Sequence, residues 1–384
     1  MRYCRCGGLV VLLSVFLGGA SGCRSGLFLA TAAISQRTPW LPGRGGPDGR
    51  TFDGLDPRVP PRIRPGCYAS ATRSVHFVDA ADLGSHSYRF SWSEHNGIAY
   101  ACRGGHIDIA HVRKGADCTG YLAAVTLDHL NRGEASFQCK LVEPSIYFVT
   151  LTFPPDWDRW DEAERRRIAR AVAVRVGQYL AYTSLTWHEI ITWFGYRPRP
   201  HVSEFPSAFS WEDTYSNLLG AHIAGTALED ESQDFDDAMT FAMQEKMREL
   251  GGQPLAVAKQ ASEAMRGQWY SSNWVSTAIQ RRDLDVGWDD GYVSPVLVPS
   301  VPACEGAEPY LLAMPTADSV EEYGFSLHVE MAPKVWEMKK IRKVLAAAGC
   351  PDVKRLDPAA HFPLIVAHIE ARVADRDDLS LGPP

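Results

Sequence analysis

The chain is organised around one stretch, Gly104-Gly105-His106-Ile107-Asp108-Ile109-Ala110-His111-Val112-Arg113. It puts two histidines, a carboxylate and an arginine directly after a pair of glycines. The residues that follow carry apolar side chains at helical spacing, and this pattern predicts a helix from Ile107 to Leu130. Asp108 and His111 lie three positions apart, so that helix would present both on one face. The stretch therefore predicts a helix and a polar site at its start.

On either side of this stretch, short β patterns alternate with long helical ones. Broken β-like segments precede it, and a hairpin pattern follows from Ser136 to Phe153. Acidic residues then open the longest helical pattern, at about 156–194, which Gly195 and Pro198 end. Further helices are predicted at 210–228, 234–250, 254–266, 333–348 and 361–374, and strands at 293–298, 310–314 and 325–331. We expect an α+β fold with a helix-rich centre flanked by small β elements.

The first 22 residues predict a lipoprotein signal peptide. Two arginines precede a short apolar run from Leu9 to Leu17, which is too short to span a bilayer comfortably. The following Ala20-Ser21-Gly22-Cys23 resembles the lipobox of bacterial lipoproteins, which implies cleavage before Cys23 and lipidation of its thiol. Arg24, in place of the aspartate associated with inner-membrane retention, implies sorting to the outer membrane. The alternative is an ordinary cleaved signal with a chance cysteine.

The remaining chain divides into three predicted parts. Residues 23–66 are rich in glycine, proline and arginine, and they predict a flexible tether. We expect a single globular domain over 67–374 and a disordered tail over 375–384. The net charge of −7 argues against nucleic acid as the main partner, because phosphate binding favours a basic face. The expected partners are the lipid bilayer, through acylated Cys23, and an unknown envelope ligand on the periplasmic side.

Cysteine count predicts disulfide bonds in the mature protein. Nine cysteines become six once the signal peptide is removed and Cys23 is acylated. An even number in an oxidising compartment indicates disulfides, and six cysteines allow fifteen complete pairings. We expect Cys304 to pair with Cys350, which would tie down the C-terminal region, and Cys102 to pair with Cys139. The six cysteines are Cys67, Cys102, Cys118, Cys139, Cys304 and Cys350.

Imidazole and carboxylate groups suggest a metal site at the opening stretch. Neutral imidazole and carboxylate are ligands suited to zinc or another divalent transition metal. The candidate ligands are His106, Asp108, His111 and His188. In the alternative interpretation, Asp108 only caps the helix while His111 packs in the core beside Arg113.

The second candidate segment is Trp187-His188-Glu189-Ile190-Ile191-Thr192-Trp193. It differs from the His-Glu-x-x-His motif of zinc peptidases because position 192 is threonine, so the second helical ligand is missing. His188 could still be one ligand of a site completed from elsewhere, with Glu189 as general base or as a hydrogen-bond partner of a ligand. A structural hydrogen bond between the two side chains is the alternative.

The third candidate segment opens the predicted helix at residue 210. Ser210-Trp211-Glu212-Asp213 has the arrangement of a capping box, and Glu212 is a further candidate general base. A helix cap explains Ser210 and one carboxylate but leaves the other polar groups of the segment unexplained. The candidate pocket residues are Arg113, Asp213, Tyr215, Ser216, Asn217 and His222.

The three segments together resemble one family. Gly-His-Ile-Asp-Ile-Ala-His-Val-Arg, Trp-His-Glu-Ile-Ile-Thr-Trp-Phe-Gly and Phe-Ser-Trp-Glu-Asp-Thr-Tyr-Ser-Asn-Leu-Leu-Gly are similar to motifs of the DUF4056 family of uncharacterised bacterial proteins. The resemblance covers roughly residues 60–370. It implies one contiguous domain and carries no activity with it.

Two functions follow as expectations. The first is a metal-dependent hydrolase acting on an envelope substrate, in which Glu189 or Glu212 activates a water bound to a divalent metal, with zinc as the first choice. The second is a non-catalytic periplasmic binding or interaction lipoprotein, in which each histidine is satisfied by a local carboxylate. Convergence of the named groups around an open cavity would favour the enzyme.

Overall fold

The computed structural model describes residues 50–64, 66, 75–141, 143–197, 204–272 and 277–375. The expected signal peptide, the lipidated Cys23, most of the tether, Cys67 and nearly all of the expected tail lie outside the described residues. Within the described ranges, no helix is both long enough and apolar enough to cross a membrane.

The opening stretch forms a strand that runs directly into a helix. β1 (Ile98–Ala101) and β2 (Gly105–Asp108) pair antiparallel, and α1 (Ile109–Asn131) follows β2 without a loop. The Asp108 carboxylate accepts hydrogen bonds from the backbone N–H groups of Ala110 and His111, at 2.8 and 3.3 Å. The helix therefore begins two residues later than predicted, because Ile107 and Asp108 belong to the strand.

The rest of the chain adds strands at the edges and helices at the centre. The later strands are β3 (Ser136–Cys139), β4 (Ser145–Thr152), β5 (Tyr270–Ser272), β6 (Thr277–Ile279), β7 (Tyr292–Val293), β8 (Leu312–Ala313) and β9 (Ser326–Pro333). The later helices are α2 (Glu162–Trp193), α3 (Asp213–Glu229), α4 (Phe235–Glu249), α5 (Leu255–Ala264), α6 (Met338–Ala347) and α7 (Pro358–Ala374). β3, β4 and β9 form an antiparallel sheet, and the other strands form pairs. The α+β prediction with a helical centre is confirmed.

The longest helix starts later than its sequence pattern indicates. The Asp161 carboxylate accepts a hydrogen bond from the Glu164 N–H and caps α2, while Trp157–Arg159 forms a short 3-10 turn. The apolar side of α2 packs against α1 and α3, so these three helices form the main core.

Glycines let the central helices approach closely. A Cβ on Gly115 of α1 would lie 2.2 Å from the Asn217 carbonyl oxygen of α3. Conversely, a Cβ on Gly220 of α3 would lie 2.0 Å from the Val112 carbonyl oxygen of α1. These contacts join backbone to backbone, so neither glycine position has room for a larger residue. The N-termini of α1 and α3 therefore lie side by side.

Residues 50–64, which the sequence pattern assigns to the tether, pack onto the fold. Phe52 and Leu55 are buried in the main core. Arg64 is buried as well, and its guanidinium contacts Asp117 at 2.6 Å and Glu94 at 2.7 Å. Two apolar side chains and one paired arginine thus hold a segment that has no hydrophobic periodicity.

The disulfide prediction is wrong in its pairing. Cys102 bonds Cys304, with a Cα–Cα distance of 4.9 Å, while Cys139 and Cys350 are free thiols. The turn after β1 meets the 3-10 turn at Pro302–Cys304, and this long-range contact decides the pairing. Cys139 is a free thiol buried in β3.

Replacement of Gly220 by alanine should destabilise the fold. Gly220→Ala is expected to lower the free energy of unfolding by roughly 2–3 kcal/mol, because a backbone carbonyl cannot move away as a side chain does. Gly133→Ala is the control, because a Cβ at residue 133 would have no neighbour within 4 Å. Its expected loss of stability is about 1 kcal/mol and comes only from placing alanine in a left-handed backbone conformation, with φ of 68°. Chemical denaturation followed by circular dichroism measures both; equal losses would contradict the close helix contact.

Peptide mapping should identify the Cys102–Cys304 bond in protein produced in an oxidising compartment. Digestion without reduction, after alkylation of the unfolded chain, is expected to yield one peptide pair joining these cysteines and alkylated Cys118, Cys139 and Cys350. Mass spectrometry reads both results, and reduction of the sample before digestion is the control. A disulfide peptide that contains Cys350 would contradict the pairing.

Candidate functional site

The candidate site lies where α1 and α3 begin. The Asp108 N–H at the end of β2 donates to the Ser216 hydroxyl at 3.0 Å, which links the two helix starts. Each helix N-terminus carries unsatisfied N–H groups and partial positive charge, which stabilise nearby carboxylates. Asp108, Glu212 and Asp213 all lie at these two ends and all are buried.

His111 is held by two of these carboxylates. Its Nδ1 lies 2.7 Å from Asp213 Oδ1 and 3.6 Å from Asp108 Oδ2. Burial by itself would lower the pKa of His111, but the attraction of Asp213 and Asp108 outweighs it and raises the pKa to about 9. Burial likewise opposes ionisation of Asp213, yet the His111 charge keeps the pKa of Asp213 below its usual range. At neutral pH the pair is an imidazolium and a carboxylate.

The opposite edge of the His111 ring, with Cε1 and Nε2, packs against Gly66. The His111 side chain keeps 13% of its surface exposed. A Cβ on Gly66 would lie 2.6 Å from His111 Cε1 and 2.7 Å from Nε2, so a side chain there would displace the ring. Because residue 66 is glycine, its backbone can pack against this edge of the ring.

Glu212 is a buried acid beside this pair. Its Oε1 accepts a hydrogen bond from the Ser210 hydroxyl at 2.8 Å, and its Oε2 has no hydrogen-bond partner among the described residues. Burial first, and then the charges of Asp213 and Asp108, raise the pKa of Glu212 well above its usual range. Adjacent carboxyl groups of Glu212 and Asp213 therefore hold opposite protonation states, a pattern typical of acid–base sites.

Glu189 of α2 approaches the same site from a third element. Its Oε2 accepts a hydrogen bond from the Phe209 N–H at 2.8 Å, and burial together with Asp213 raises its pKa. Phe209 has a φ of 54°, a left-handed conformation that is rare for a bulky residue and costs energy. The bond to Glu189 helps to hold this strained turn, which leads directly into Glu212 and Asp213.

Two cations near the site were not among the predicted residues. The half-buried Lys114 lowers the pKa values of His111, Asp213 and Glu189 through its charge. Burial lowers the pKa of Arg282 to about 10, although neighbouring acids including Glu189 raise it. Arg282 donates to the carbonyls of the turn before α3. Lys114 lies one turn after His111 on α1, and this spacing could have identified it as a site residue from the sequence. Arg282 has no comparable local feature.

His188 lies in a separate polar group. Its Nδ1 contacts Glu143 Oε1 at 2.9 Å, and its Nε2 lies 3.6 Å from Glu204 Oε2. Burial disfavours a charged Glu143, but the contact with His188 lowers its pKa below the usual range. His188 therefore pairs with residues outside its own helix and does not bond to the adjacent Glu189, which contacts Phe209 instead.

His106 lies in an aromatic enclosure. Tyr100 and Trp211 contact its ring edge to face, and the Trp211 indole N–H donates to His106 Nδ1 at 3.4 Å. Burial lowers the pKa of His106 to about 3, despite a hydrogen bond with the Ala258 backbone. The ring is neutral and packs in the second hydrophobic cluster of the protein.

The four predicted metal ligands thus lie in three different surroundings. Asp108 and His111 are together, whereas His106 and His188 each have their own partners. Over the ranges described here, no group of three or more His, Cys, Asp or Glu residues is arranged to hold a metal ion. Metal binding stays a prediction.

Only some of the predicted pocket residues lie at the candidate site. Asp213 and Ser216 belong to the site. Arg113 turns away from it and binds the Asn96 amide oxygen at 2.9 Å. The Tyr215 hydroxyl donates to the Tyr310 carbonyl, and His222 lies 2.7 Å from the Ala313 carbonyl, where Nε2–H can donate. The amide of Asn217 is buried in α3, and its oxygen has no hydrogen-bond partner within the described part of the chain.

The His111–Asp213 pair should be visible in a pH titration. Nuclear magnetic resonance of the imidazoles is expected to show His111 titrating near pH 9, whereas Asp213→Asn should lower that pKa by roughly one unit or more. Because the folded pKa exceeds the ordinary 6.5, the pair stabilises the fold fully below pH 6.5 and loses this contribution toward pH 9. His106 is the internal control, since it should stay neutral down to about pH 3. An unchanged His111 pKa in Asp213→Asn would contradict the pairing.

Comparison with known proteins agrees with the motif resemblance. A family model with the description "Protein of unknown function (DUF4056)" matches residues 72–281. This range contains both helix starts of the candidate site and ends just before Arg282. No curated protein and no solved structure matches the chain. Because the matched residues are more than half of the 384, the chain belongs to the DUF4056 family, whose function is unknown.

Proposed function

We propose that this protein is a lipid-anchored envelope hydrolase whose active site is centred on His111 and Asp213. The observation that carries the proposal is a largely buried His–Asp ion pair that lies beside a carboxyl group whose pKa is raised well above its usual range. Several strongly perturbed pKa values gathered at one position favour a functional site.

The arrangement suits proton donation. Hydrolysis adds water across a bond, so one group must accept a proton from the water and another must donate one to the leaving group. His111, charged at neutral pH and oriented by Asp213, would donate from Nε2 or stabilise an oxyanion there. The Asp213 carboxylate, whose pKa stays below its usual range, would accept the proton of the attacking water. The raised pKa values of Glu189 and Glu212 also favour the donor role over the general-base role expected from the sequence.

The metal-dependent form of the proposal needs more ligands than the described residues supply at this site. Asp108 and His111 would provide two, and catalytic zinc sites typically use three protein ligands. The set predicted from the sequence therefore does not fit a metal as it stands, and we derive no step through one.

Sequence features support the envelope location. The lipobox-like Ala20-Ser21-Gly22-Cys23 would place an acylated Cys23 in the outer membrane, facing the periplasm. The Cys102–Cys304 bond is of the kind that persists in oxidising compartments. Substrates within reach there are peptidoglycan, peptides, glycans and lipids.

A non-catalytic binding lipoprotein is the second candidate. It is favoured by the surroundings of His106 and His188, because each ring already has its own partners. In that case the His111 pair would be structural too, and the unknown envelope ligand would bind without being converted.

A hydrolase assay on variants of the site separates these functions. In water enriched in ¹⁸O, the wild-type protein should introduce one ¹⁸O atom per bond cleaved in peptidoglycan, peptide, glycan or ester substrates, as read by mass spectrometry. His111→Asn and Glu212→Gln are expected to lower turnover roughly 100-fold or more, because each removes a proton donor. His188→Asn, a partly exposed histidine outside the pair, should keep most of the activity.

Elemental analysis of the same proteins tests the metal. Near-stoichiometric zinc in the wild-type protein that is lost in His111→Asn would favour the metal-dependent form. An equal loss of zinc in His188→Asn would show that both histidines bind the same metal. Turnover that is the same in His111→Asn and in the wild type would exclude the proposed centre. Absence of turnover on all four substrate classes, with every variant folded, would favour the binding lipoprotein.

A further inference from the structure

A closed loop projects from the protein between Gly84 and Glu94. These two residues form an antiparallel bridge, and Gly84 has a φ of 66° with its missing Cβ only 1.9 Å from the Ser93 carbonyl oxygen. The chain can close here only because residue 84 is glycine. Both ends of the loop are thus fixed to each other before the chain continues to β1.

The base of this loop is held by buried charges. The Glu94 carboxylate accepts hydrogen bonds from the guanidinium groups of Arg62 and Arg64 and from the Ser87 N–H. Burial would raise the pKa of Glu94, but the arginines lower it to about 2, so the carboxylate stays charged. Tyr88 is also buried, and its hydroxyl donates to the Val59 carbonyl at 2.6 Å. The base is therefore rigid.

The tip of the loop presents two large aromatic side chains to solvent. Trp92 is 75% exposed and Phe90 is 49% exposed, and their rings pack edge to face with centroids 4.8 Å apart. Arg89 is exposed beside them. We call these three residues, Arg89, Phe90 and Trp92, the aromatic tip. Paired exposed aromatics on a rigid base have no role in the core and indicate a contact surface.

Charge and chain length favour a lipid surface as the occupant. No acidic residue occurs from Ser85 to Ser93, where Arg89 is the lone full positive charge and His86 is buried. Such a tip is complementary to anionic phospholipid headgroups, and tryptophan is enriched at membrane interfaces because its ring is apolar with one polar end. The 27 residues from Cys23 to Arg50 (50 minus 23) could extend over roughly 90 Å, enough for any face of the domain to reach the bilayer.

We propose that the aromatic tip contacts the membrane, with Phe90 and Trp92 inserted at the interface and Arg89 on an anionic headgroup. The inference rests on the envelope location proposed above and is independent of the hydrolase proposal. A lipid chain on a long tether leaves the domain free to rotate, whereas a second contact through the tip holds one face toward the bilayer. The tip would thus orient the protein on the membrane.

Vesicle partitioning tests the tip without the lipid anchor. A chain of residues 24–384 keeps every described residue and lacks Cys23, so its binding does not depend on acylation. Flotation should show binding to vesicles of phosphatidylethanolamine and phosphatidylglycerol in a 3:1 ratio. The Phe90→Ala/Trp92→Ala double variant is expected to lower the partition coefficient about tenfold. Arg89→Ala should weaken binding to these vesicles but not to pure phosphatidylcholine.

Trp336→Ala is the matched control. Trp336 is 82% exposed and lies just before α6, so its loss should leave partitioning unchanged. Circular dichroism and thermal unfolding check that all variants fold. Wild-type protein that binds neither vesicle, or a double variant that binds as the wild type does, would overturn the proposal. A shift from dimer to monomer in the double variant, with vesicle binding unchanged, would assign the tip to a second copy of the chain instead.

Discussion

The backbone contact between α1 and α3 is the constraint on which the candidate site depends. Gly115 and Gly220 bring the two helices together without intervening side chains, so their N-termini lie side by side. Only at that spacing can the α1 histidine reach the first carboxylate of α3, and only there can Ser216 bind the backbone of β2. The chemistry of the site is thus a result of helix packing, and the helices supply the partial charge that stabilises its carboxylates.

Buried charged side chains form two separate groups in this structure. Around Arg64, Glu94 and Asp117, opposite charges pair at short range, and these pairs attach the N-terminal segment and a surface loop to α1. At His111, two carboxylates share one imidazole, and Glu212 Oε2 has no hydrogen-bond partner among the described residues. Removing charged groups from water is unfavourable unless they are well paired. In both places an opposite charge lowers the pKa of a buried carboxylate, of Glu94 in the first and of Asp213 in the second.

Local patterns in the sequence predict much of the fold, but they do not predict which residues distant in sequence form ion pairs or disulfide bonds. The helical centre follows from apolar spacing and from capping residues such as Asp161, which act within a few residues of one another. The start of α1 was placed two residues early because Asp108 serves both a strand and a helix. His111 and Asp213 are far apart in sequence, as are Cys102 and Cys304. Hydrophobic periodicity is a local property, so it does not predict contacts between such distant residues. The three polar segments were identified, yet only their packing shows that His106 is enclosed by aromatic rings.

The Cys102–Cys304 bond gives the molecule a closed covalent ring. All three helices of the main core, and both helix starts of the candidate site, lie within the 202-residue separation that this bond closes. A protease that cuts one loop inside the ring would leave a nicked protein whose two pieces remain joined. Closing so long a segment also restricts the unfolded chain, an effect of roughly 5 kcal/mol in the chain-entropy description. In a compartment rich in proteases, such a ring would let the central helices survive a single cleavage and stay assembled.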